Sequence, residues 1–299
     1  ILHHVVDDHI WHFWDGPMGT LYLPVILYSS DRGLEVFSSS NFYDDHHQLV
    51  TYNGYKVDHS HIVPVEEGRH IIDFSITKNV ASMFVSVALL FLVFFSVRKG
   101  YTSNDGKAPK GIQSFFEPII IFIRDEVARP NIGDKHEKFL PYLLTIFFFI
   151  WFNNLMGLLP GAANVTGNIA VTGTLAIFTF IITQFNGNKQ YWQHIFNTPG
   201  VPWWLKIPLP IMPVVELIGV FTKPFSLTVR LFANITAGHI IILSLFSLIF
   251  IFQSIWVGPL SVAFAVFMFF LELFVSLLQA FIFTILSAMY FGAAVEDHH

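Results

Sequence analysis

The feature that most constrains the fold of this sequence is a run of 50 residues, from Phe139 to Asn188, without a charged side chain. A helix needs about 20 apolar residues to cross the hydrocarbon core of a bilayer, so the run is too long for one crossing. Gly, Pro and Asn residues interrupt it at 156–168. This pattern predicts two antiparallel membrane helices joined by a short turn.

Three further apolar stretches complete the predicted membrane part. Residues 79–97 form one crossing of 19 uncharged residues. Residues 207–250 and 257–295 are about twice as long as one crossing requires, so both helices must be strongly tilted or kinked. Pro224 and Gly238 are among the places where the first of them has room to bend. The sequence therefore predicts an all-α polytopic membrane protein with about five membrane helices, the last two long and tilted.

Residues 1–78 contain no long apolar run and show short alternating pieces separated by turn signals. We expect a small, strand-rich, extracytoplasmic N-terminal segment at 1–78 and a membrane domain at 79–299. The N-terminal segment holds 11 acidic and 4 basic residues, which argues against nucleic acid as a partner. The sequence starts at Ile1 without Met, which fits either a mature chain after removal of a signal peptide or a trimmed fragment.

Nine of the 14 histidines lie in the N-terminal segment, and four of them are clustered near its start. Imidazoles at helical spacing can converge on a metal ion, but a solvated polar surface is the simpler interpretation and is favoured. The sequence contains no cysteine, which excludes disulfides and thiolate metal sites, and no cofactor is expected. The clustered histidines are His3, His4, His9 and His12.

The distribution of Lys and Arg predicts the topology. Residues 98–138 hold eight of the 16, and include an amphipathic segment at 112–130 that we expect to lie along the membrane interface. With 187–206, which also carries the interfacial aromatic pair Trp203 and Trp204, this side of the membrane has ten basic residues against four on the side of the N-terminal segment. The positive-inside rule then places the N-terminus outside and the C-terminus in the cytoplasm.

Ionisable residues inside the last two membrane helices mark the candidate functional site. Glu216, Lys223 and Arg230 are seven residues apart, so they share one helix face, and Asn234 lies one turn beyond. A charge at bilayer depth costs at least about 2.5–3.5 kcal/mol, so it indicates a functional role by default.

Each of these charges has an alternative interpretation. Lys223, at an expected helix break before Pro224, either snorkels to the interface, which is favoured, or takes part in transport. Glu216 either pairs with Lys223 or lines an ion path. Arg230 stays charged at any relevant pH and has no nearby acid in its own helix, so its counter-charge must come from outside.

The last helix adds Glu272 and Gln279, seven residues apart on one face. His239 lies nine residues after Arg230, on the opposite side of that helix. We expect His239 to face Glu272 across the helix pair as a proton relay, because an imidazole beside a carboxylate exchanges protons near neutral pH. The alternative is a structural hydrogen bond between the two.

These residues stand in motifs that closely resemble subunit a of F-type ATP synthases. The resemblance covers most of 75–295 and leaves residues 1–74 without an assigned role. The motifs are FNNLMGLLPG at 152–161, FSLTVRLFANITAGH at 225–239 and LLQAFIFTILSAMY at 277–290.

The resemblance implies a noncatalytic stator subunit of a bacterial inner-membrane ATP synthase, with two offset half-channels that lead protons to a ring of c subunits. It implies that Arg230 faces the ring carboxylate and that Asn234 and Gln279 lie near the path. Many bacterial members carry Glu after the motif glycine and His in the last helix; here the pair is exchanged as His239 and Glu272. Expected partners are the c ring, the peripheral-stalk b subunits and the rest of the complex.

Two other classes of membrane protein fit the composition less well. A secondary transporter with a charged site at broken helices is the alternative, but such proteins usually contain internal repeats, and the Arg230 stretch is not repeated in the sequence. A scaffold without transport would not need charges at membrane depth. The sequence has no P-loop or nucleophile motif, so ATP chemistry must belong to partner subunits.

Overall fold

The structure is a computed structural model that describes residues 7–12, 19–44, 48–58, 60–66, 68–103, 108–159, 163–196, 211–252 and 257–296. Seven short strands come first: β1 (Ile10–His12), β2 (Thr20–Tyr22), β3 (Pro24–Ser29), β4 (Gly33–Ser38), β5 (Tyr55–Asp58), β6 (His61–Pro64) and β7 (Ile71–Asp73). The α-helices follow: α1 (Lys78–Ser103), α2 (Ile112–Phe122), α3 (Arg129–Ile132), α4 (His136–Gly157), α5 (Ile169–Phe185), α6 (Lys189–Phe196), α7 (Ile211–Phe252) and α8 (Val257–Val295).

The N-terminal segment is strand-rich, as the sequence predicts. β3 is the middle strand of a three-stranded antiparallel sheet between β4 and β7, and β1–β2 and β5–β6 form two hairpin pairs. Alternate residues of β3 point to opposite faces, so Val25 and Leu27 are buried while Tyr28 is exposed. The buried side chains form a small apolar core of Val25, Leu27, Phe42, Tyr55 and Ile62.

The N-terminal segment is fastened to the start of the first membrane helix. The carboxylate of Asp7 accepts a hydrogen bond from the backbone N–H of Asn79 at 3.1 Å, and the carbonyl of Asp8 accepts one from Lys78 at 2.9 Å. Acidic groups suit this position, because the first turn of a helix has unpaired N–H groups and a partial positive charge. The segment is therefore attached directly to the N-terminal end of α1.

The membrane domain confirms the predicted helices. Within the described ranges, four helical segments are long and apolar enough to cross a bilayer, and α5 with α6, bent by 104° at their junction, makes up to five. α4 and α5 are the two helices predicted for the 50-residue uncharged run. The protein is a multi-pass membrane protein.

The two C-terminal helices are long and continuous. α7 has 42 residues and α8 has 39, or about 60 Å each at 1.5 Å per residue. The expected break at Pro224 is wrong, because α7 continues through it. Proline removes only one helical donor, the one that would bond the carbonyl of Val220, and membrane helices tolerate such a loss.

The predicted amphipathic segment at 112–130 is helical with one buried face. α2 continues through a π-helical turn at Ile123–Ala128 into α3. Phe116, Ile123 and Val127 are buried in the main apolar core, whereas Phe115 is exposed. Its location along the membrane interface stays a prediction, and Trp203 and Trp204 lie outside the described residues.

α8 occupies the centre of the membrane domain and packs against both α4 and α7. Its buried face carries polar side chains along much of its length. These residues are Ser261, Glu272, Ser276, Gln279, Thr284 and Ser287. Thr284 and Ser287 bond back to their own helix, as hydroxyl residues between membrane helices do, whereas the ionisable Glu272 indicates a functional site.

Candidate functional site

Arg230 lies on the exposed face of α7, together with Asn234 one turn further on. Among the residues that the structure describes, no carboxylate lies within ion-pair distance of the Arg230 guanidinium. A permanent cation exposed on a membrane helix needs a counter-charge from outside the chain. The structure thus agrees with the sequence prediction that Arg230 is not neutralised within its own helix.

A small cavity lies beyond Arg230, between the end of α4, α7 and α8. Its volume is about 10 Å³, roughly enough for one water molecule. It brings together His239 and Glu272, as predicted, and places Asn234 at their side. The lining residues are Asn154, Leu158, Asn234, Ile235, His239, Glu272, Val275 and Ser276. We call this space the outer cavity.

His239 and Glu272 do not form the predicted direct hydrogen bond, because both carboxylate oxygens of Glu272 are buried without a partner. The carboxylate packs against the backbone of Gly238, where a Cβ would lie 2.9 Å from Glu272 Cδ. The imidazole points towards the end of α4, where a Cβ on Gly157 would lie 3.7 Å from His239 Nε2. The two side chains therefore share the cavity but leave its centre open between them.

Asn154 lines the outer cavity, and the sequence motifs alone do not single it out. Its amide donates to the Ser276 carbonyl at 3.2 Å and accepts from the Thr166 hydroxyl at 2.6 Å. It thereby fixes α4 to α8 and to the short turn Val165–Gly167 at the outer cavity. The signal for it was present, since two adjacent asparagines near the end of an apolar helix are costly unless they are paired.

Several polar atoms around the outer cavity have no hydrogen-bond partner among the described residues. They are Asn164 Nδ2, Thr236 Oγ1, Ser276 Oγ and both carboxylate oxygens of Glu272. Buried polar groups are almost always hydrogen-bonded, if not to protein then to water. The outer cavity therefore has the unpaired polar groups that a bound water requires.

A second cavity lies on the other side of Arg230, between α5, α6, α7 and α8. Its volume is also about 10 Å³, and it is lined by Ala176, Thr179, Phe180, Thr183, Gln184, Tyr191, Val220, Lys223, Pro224, Leu227 and Tyr290. The ammonium of Lys223 lies 5.5 Å from the ring centre of Tyr290, which is a cation–π distance. The Tyr142 hydroxyl lies 2.7 Å from that of Thr179. We call this space the inner cavity.

Glu216 and Lys223 do not pair with each other. The Glu216 carboxylate lies 3.9 Å from His194 on α6, and Lys223 contacts Tyr290 instead. The pairing interpretation is therefore wrong, because each side chain finds a nearer partner on another helix. Gln279 is buried on the same face of α8 as Glu272, but it lines neither cavity.

The two cavities are offset along α7. The inner cavity uses residues 220–227 and the outer cavity residues 234–239, so at least about 10 Å of helix separates them. Arg230 lies between them, and Leu227 and Leu231 on either side of it are buried. Arg230 therefore separates two small cavities, each with a few polar and ionisable side chains in a mostly apolar lining.

The described histidines of the predicted N-terminal cluster differ in burial and in their partners. His3 and His4 lie outside the described residues. His12 is exposed and bonds to the Thr20 hydroxyl at 2.7 Å, but His9 is buried, with its Nε2 3.6 Å from Asp73. The solvated interpretation is therefore wrong for His9, which packs between strands. No group of three metal ligands occurs in the described part of the chain.

Comparison with known proteins places this site in a family. The sequence model of the ATP synthase A chain matches residues 80–292, and that of a domain of unknown function (DUF8433) matches residues 1–83. Similar proteins include "ATP synthase subunit a" of Chloroherpeton thalassium, 48% identical over 246 residues, which cover 80% of this chain and 72% of the relative.

Two further relatives extend the comparison. "ATP synthase subunit a 2" of Chlorobaculum tepidum is 51% identical over 239 residues, covering 76% of this chain and 66% of the relative. "ATP synthase subunit a" of an Anaeromyxobacter species is 39% identical over 311 residues, covering all of this chain and 70% of the relative.

Proposed function

This chain belongs to the ATP synthase A chain family, and we propose that Arg230 is the fixed charge on which its proton transport depends. Members of the family are proton-translocating subunits that carry out no nucleotide chemistry. In this proposal the outer and inner cavities belong to two half-channels. The exposed face of α7 that carries Arg230 contacts the ring of c subunits. The observation that carries it is the position of an exposed Arg230, without a carboxylate partner among the described residues, between two cavities that hold ionisable side chains.

The fixed charge couples rotation to proton transfer. A protonated carboxyl on a ring helix enters lipid at little cost, whereas an ionised one needs a cation. A ring carboxyl that reaches Arg230 therefore releases its proton, and it takes up another before it returns to lipid. Since guanidinium cannot pass a proton on, Arg230 also prevents a direct leak between the cavities.

The two cavities supply groups for proton delivery and removal. In the outer cavity, His239, Glu272 and Asn234 surround space for one water, so we assign proton uptake to them. In the inner cavity, Lys223, Tyr290 and the hydroxyls of Thr179 and Thr183 line the release path. Glu216 lies further along the same helix, beside His194, and we place it at the inner mouth. Gln279 is buried on α8 and lines neither cavity, so we give it a role in the packing of α8 beside them.

The proposal includes partners and orientation. Subunit a belongs to the ATP synthase complex, and we propose the c ring and the peripheral-stalk b subunits as its direct neighbours. The ten-to-four distribution of Lys and Arg supports a bacterial inner-membrane location with the N-terminal segment outside and the C-terminus in the cytoplasm. Each proton that crosses from outside to the cytoplasm then releases about 2.3 kcal/mol per 100 mV of transmembrane potential, and this free energy drives rotation.

The substitution Arg230→Ala tests the proposal. In vesicles with an assembled complex, ATP synthesis under an imposed proton gradient should fall at least about 100-fold, since several kcal/mol of charge stabilisation are removed and about 1.4 kcal/mol corresponds to tenfold. Passive proton flux should rise. Arg230→Lys should also lose coupling, because a desolvated Lys can release its proton.

Val229→Ala is the matched control, since it shortens an exposed neighbour without changing charge. Near-normal synthesis in an assembled Arg230→Ala complex would overturn the proposal.

A further inference from the structure

Buried polar atoms without a partner occur at a second place, at the outer end of α1. Besides those of the outer cavity, the described residues leave Thr77 Oγ1, Ser82 Oγ and His9 Nδ1 without a hydrogen bond, and His9 Nε2 makes only an ion-pair contact with Asp73 at 3.6 Å. Ser39 Oγ and the ion-paired Arg69 Nη2 lie elsewhere. His9 is 4% exposed and Ser82 is 0% exposed. Polar atoms this deeply buried require water when protein offers no partner.

A line of polar side chains joins this place to the outer cavity. Asn79, Ser82 and Ser86 are buried on one face of α1, at spacings of three and four residues. The Ser86 hydroxyl lies 3.0 Å from Asn153 Oδ1 on α4. Asn153 adjoins Asn154, which lines the outer cavity.

The opposite face of α1 is entirely different. Phe84, Phe91 and Phe95 on that face are exposed and apolar, and so is Val85 at its edge, as expected of a lipid-facing surface. Ser82 lies about 6 Å and Ser86 about 12 Å along the helix from Lys78, so both are reached from the outer end within the first turns. The polar face of α1 is thus directed into the protein, at the depth at which a path from outside would begin.

We propose that water and its protons reach the outer cavity along this face of α1, and that the N-terminal segment forms the roof of the entrance. The segment is held in place by the bonds from Asp7 to Asn79 and from Asp8 to Lys78, and it places His9 and Asp8 next to the first polar residues of α1. The inference rests on the proposed function, since it supplies the entrance to the outer half-channel.

Labelling of single cysteines tests the path, because the chain has no cysteine of its own. Ser82→Cys and Ser86→Cys are compared with Val85→Cys, which lies at the same depth on the lipid face. The assembled complex in vesicles is treated from the outside with an impermeant cationic methanethiosulfonate, which reacts with hydrated thiolates. Ser82→Cys and Ser86→Cys should react at least about tenfold faster than Val85→Cys, which stays protonated in lipid.

Thr236→Cys, directly after Ile235 in the wall of the outer cavity, separates the two possible failures. If it is labelled while Ser82→Cys and Ser86→Cys react no faster than Val85→Cys, the path along α1 is wrong and the outer half-channel stands. If none of these cysteines reacts, the hydrated outer half-channel is overturned as well. Labelling at Ser82 without labelling at Thr236 would show a pocket that does not lead to the cavity, and would also overturn the inference.

The roof is tested separately in the Ser82→Cys background. Asp7→Ala removes the bond to Asn79, so the labelling rate should rise severalfold as the N-terminal segment loosens. Glu66→Ala removes an exposed carboxylate elsewhere in the segment and should leave the rate unchanged. An unchanged rate in Asp7→Ala would show that the segment does not cover the entrance.

Discussion

The carboxylate of Glu272 on α8 lies directly against the backbone of Gly238 on α7, in a space that only glycine leaves open. A Cβ at position 238 would overlap Glu272 Oε1 and lie 2.9 Å from Cδ and 3.1 Å from Cγ. Neither carboxylate oxygen has a protein partner in the described part of the chain. The glycine therefore sets the position of the carboxylate, and His239, the next residue, is turned away from it.

This contact predicts that Gly238→Ala displaces Glu272 and slows proton uptake. Overpacking at a well-packed position costs about 1–3 kcal/mol, and Glu272 must leave its place in the outer cavity to relieve it. ATP synthesis at a limiting proton gradient should fall about tenfold, in line with about 1.4 kcal/mol. The measurement is synthesis rate against external pH in reconstituted vesicles.

Gly219→Ala is the control, because nothing lies within 4 Å of a Cβ at that position on the same helix. It should leave the rate unchanged. In a Glu272→Ala background, Gly238→Ala should cause little further loss, since the clash is gone. A full second loss in that background would show that Gly238 acts through something other than Glu272.

The shared cavity predicts that His239 and Glu272 are coupled through water. Replacing either residue by Ala should slow proton uptake, and the double replacement should cost less than the sum of the two losses. The exchange of His239→Glu with Glu272→His keeps both groups in one cavity, so it should recover part of the rate. Recovery should be incomplete, because imidazole is larger and must fit beside Gly238. Strictly additive losses in the synthesis assay would contradict a shared proton path.

The helices could be predicted from the sequence because their signal is a simple one. Long apolar runs bounded by polar residues fix where α4, α5, α7 and α8 begin and end, and charges within α7 and α8 stand out against that background. The directions of side chains could not be predicted in the same way. The spacing of the residues predicted that His239 and Glu272 face each other, but it could not show that the Glu272 carboxylate packs against the backbone of Gly238.

Two other features depended on tertiary contacts that the sequence does not display. Pro224 signals a break, yet the helix continues through it, because one missing donor is a loss that a packed membrane helix tolerates. His9 belongs to a histidine-rich stretch, yet the sheet buries it beside Asp73. Asn154 was part of a recognised motif, but its role emerged only with its partners Thr166 and Ser276.

The predicted orientation places the N-terminal segment outside and residues 98–138 in the cytoplasm. Thr51 and Lys110 are exposed in these two regions, whereas Ser39 is fully buried and unsuitable for labelling. An impermeant thiol reagent applied from outside should label Thr51→Cys and spare Lys110→Cys, because the basic side faces the cytoplasm. Inverted vesicles should give the reverse pattern, and the opposite result would exchange the assignments of the two cavities.

The contact between His9 and Asp73 predicts that the N-terminal segment loosens in acid. Burial alone raises the pKa of Asp73, but the adjacent His9 imidazole and the hydrogen bond from the Ser75 backbone outweigh it and hold the pKa below the ordinary value of 3.8. A carboxyl with a lowered pKa stabilises the fold above its ordinary pKa, and this contribution is lost as the pH falls through the lower folded value.

Amide hydrogen exchange in β3 and β7, followed in the assembled complex from about pH 5 to about pH 3 and corrected for intrinsic rates, measures this loss. Protection should decrease towards the acid end. Asp73→Asn keeps the shape of the side chain and removes its titration, so protection should already be lower at pH 5 and change less with acid. Glu66→Gln, at an exposed position, should behave like the unaltered chain. If Asp73→Asn kept the full acid dependence, another group would be responsible for it.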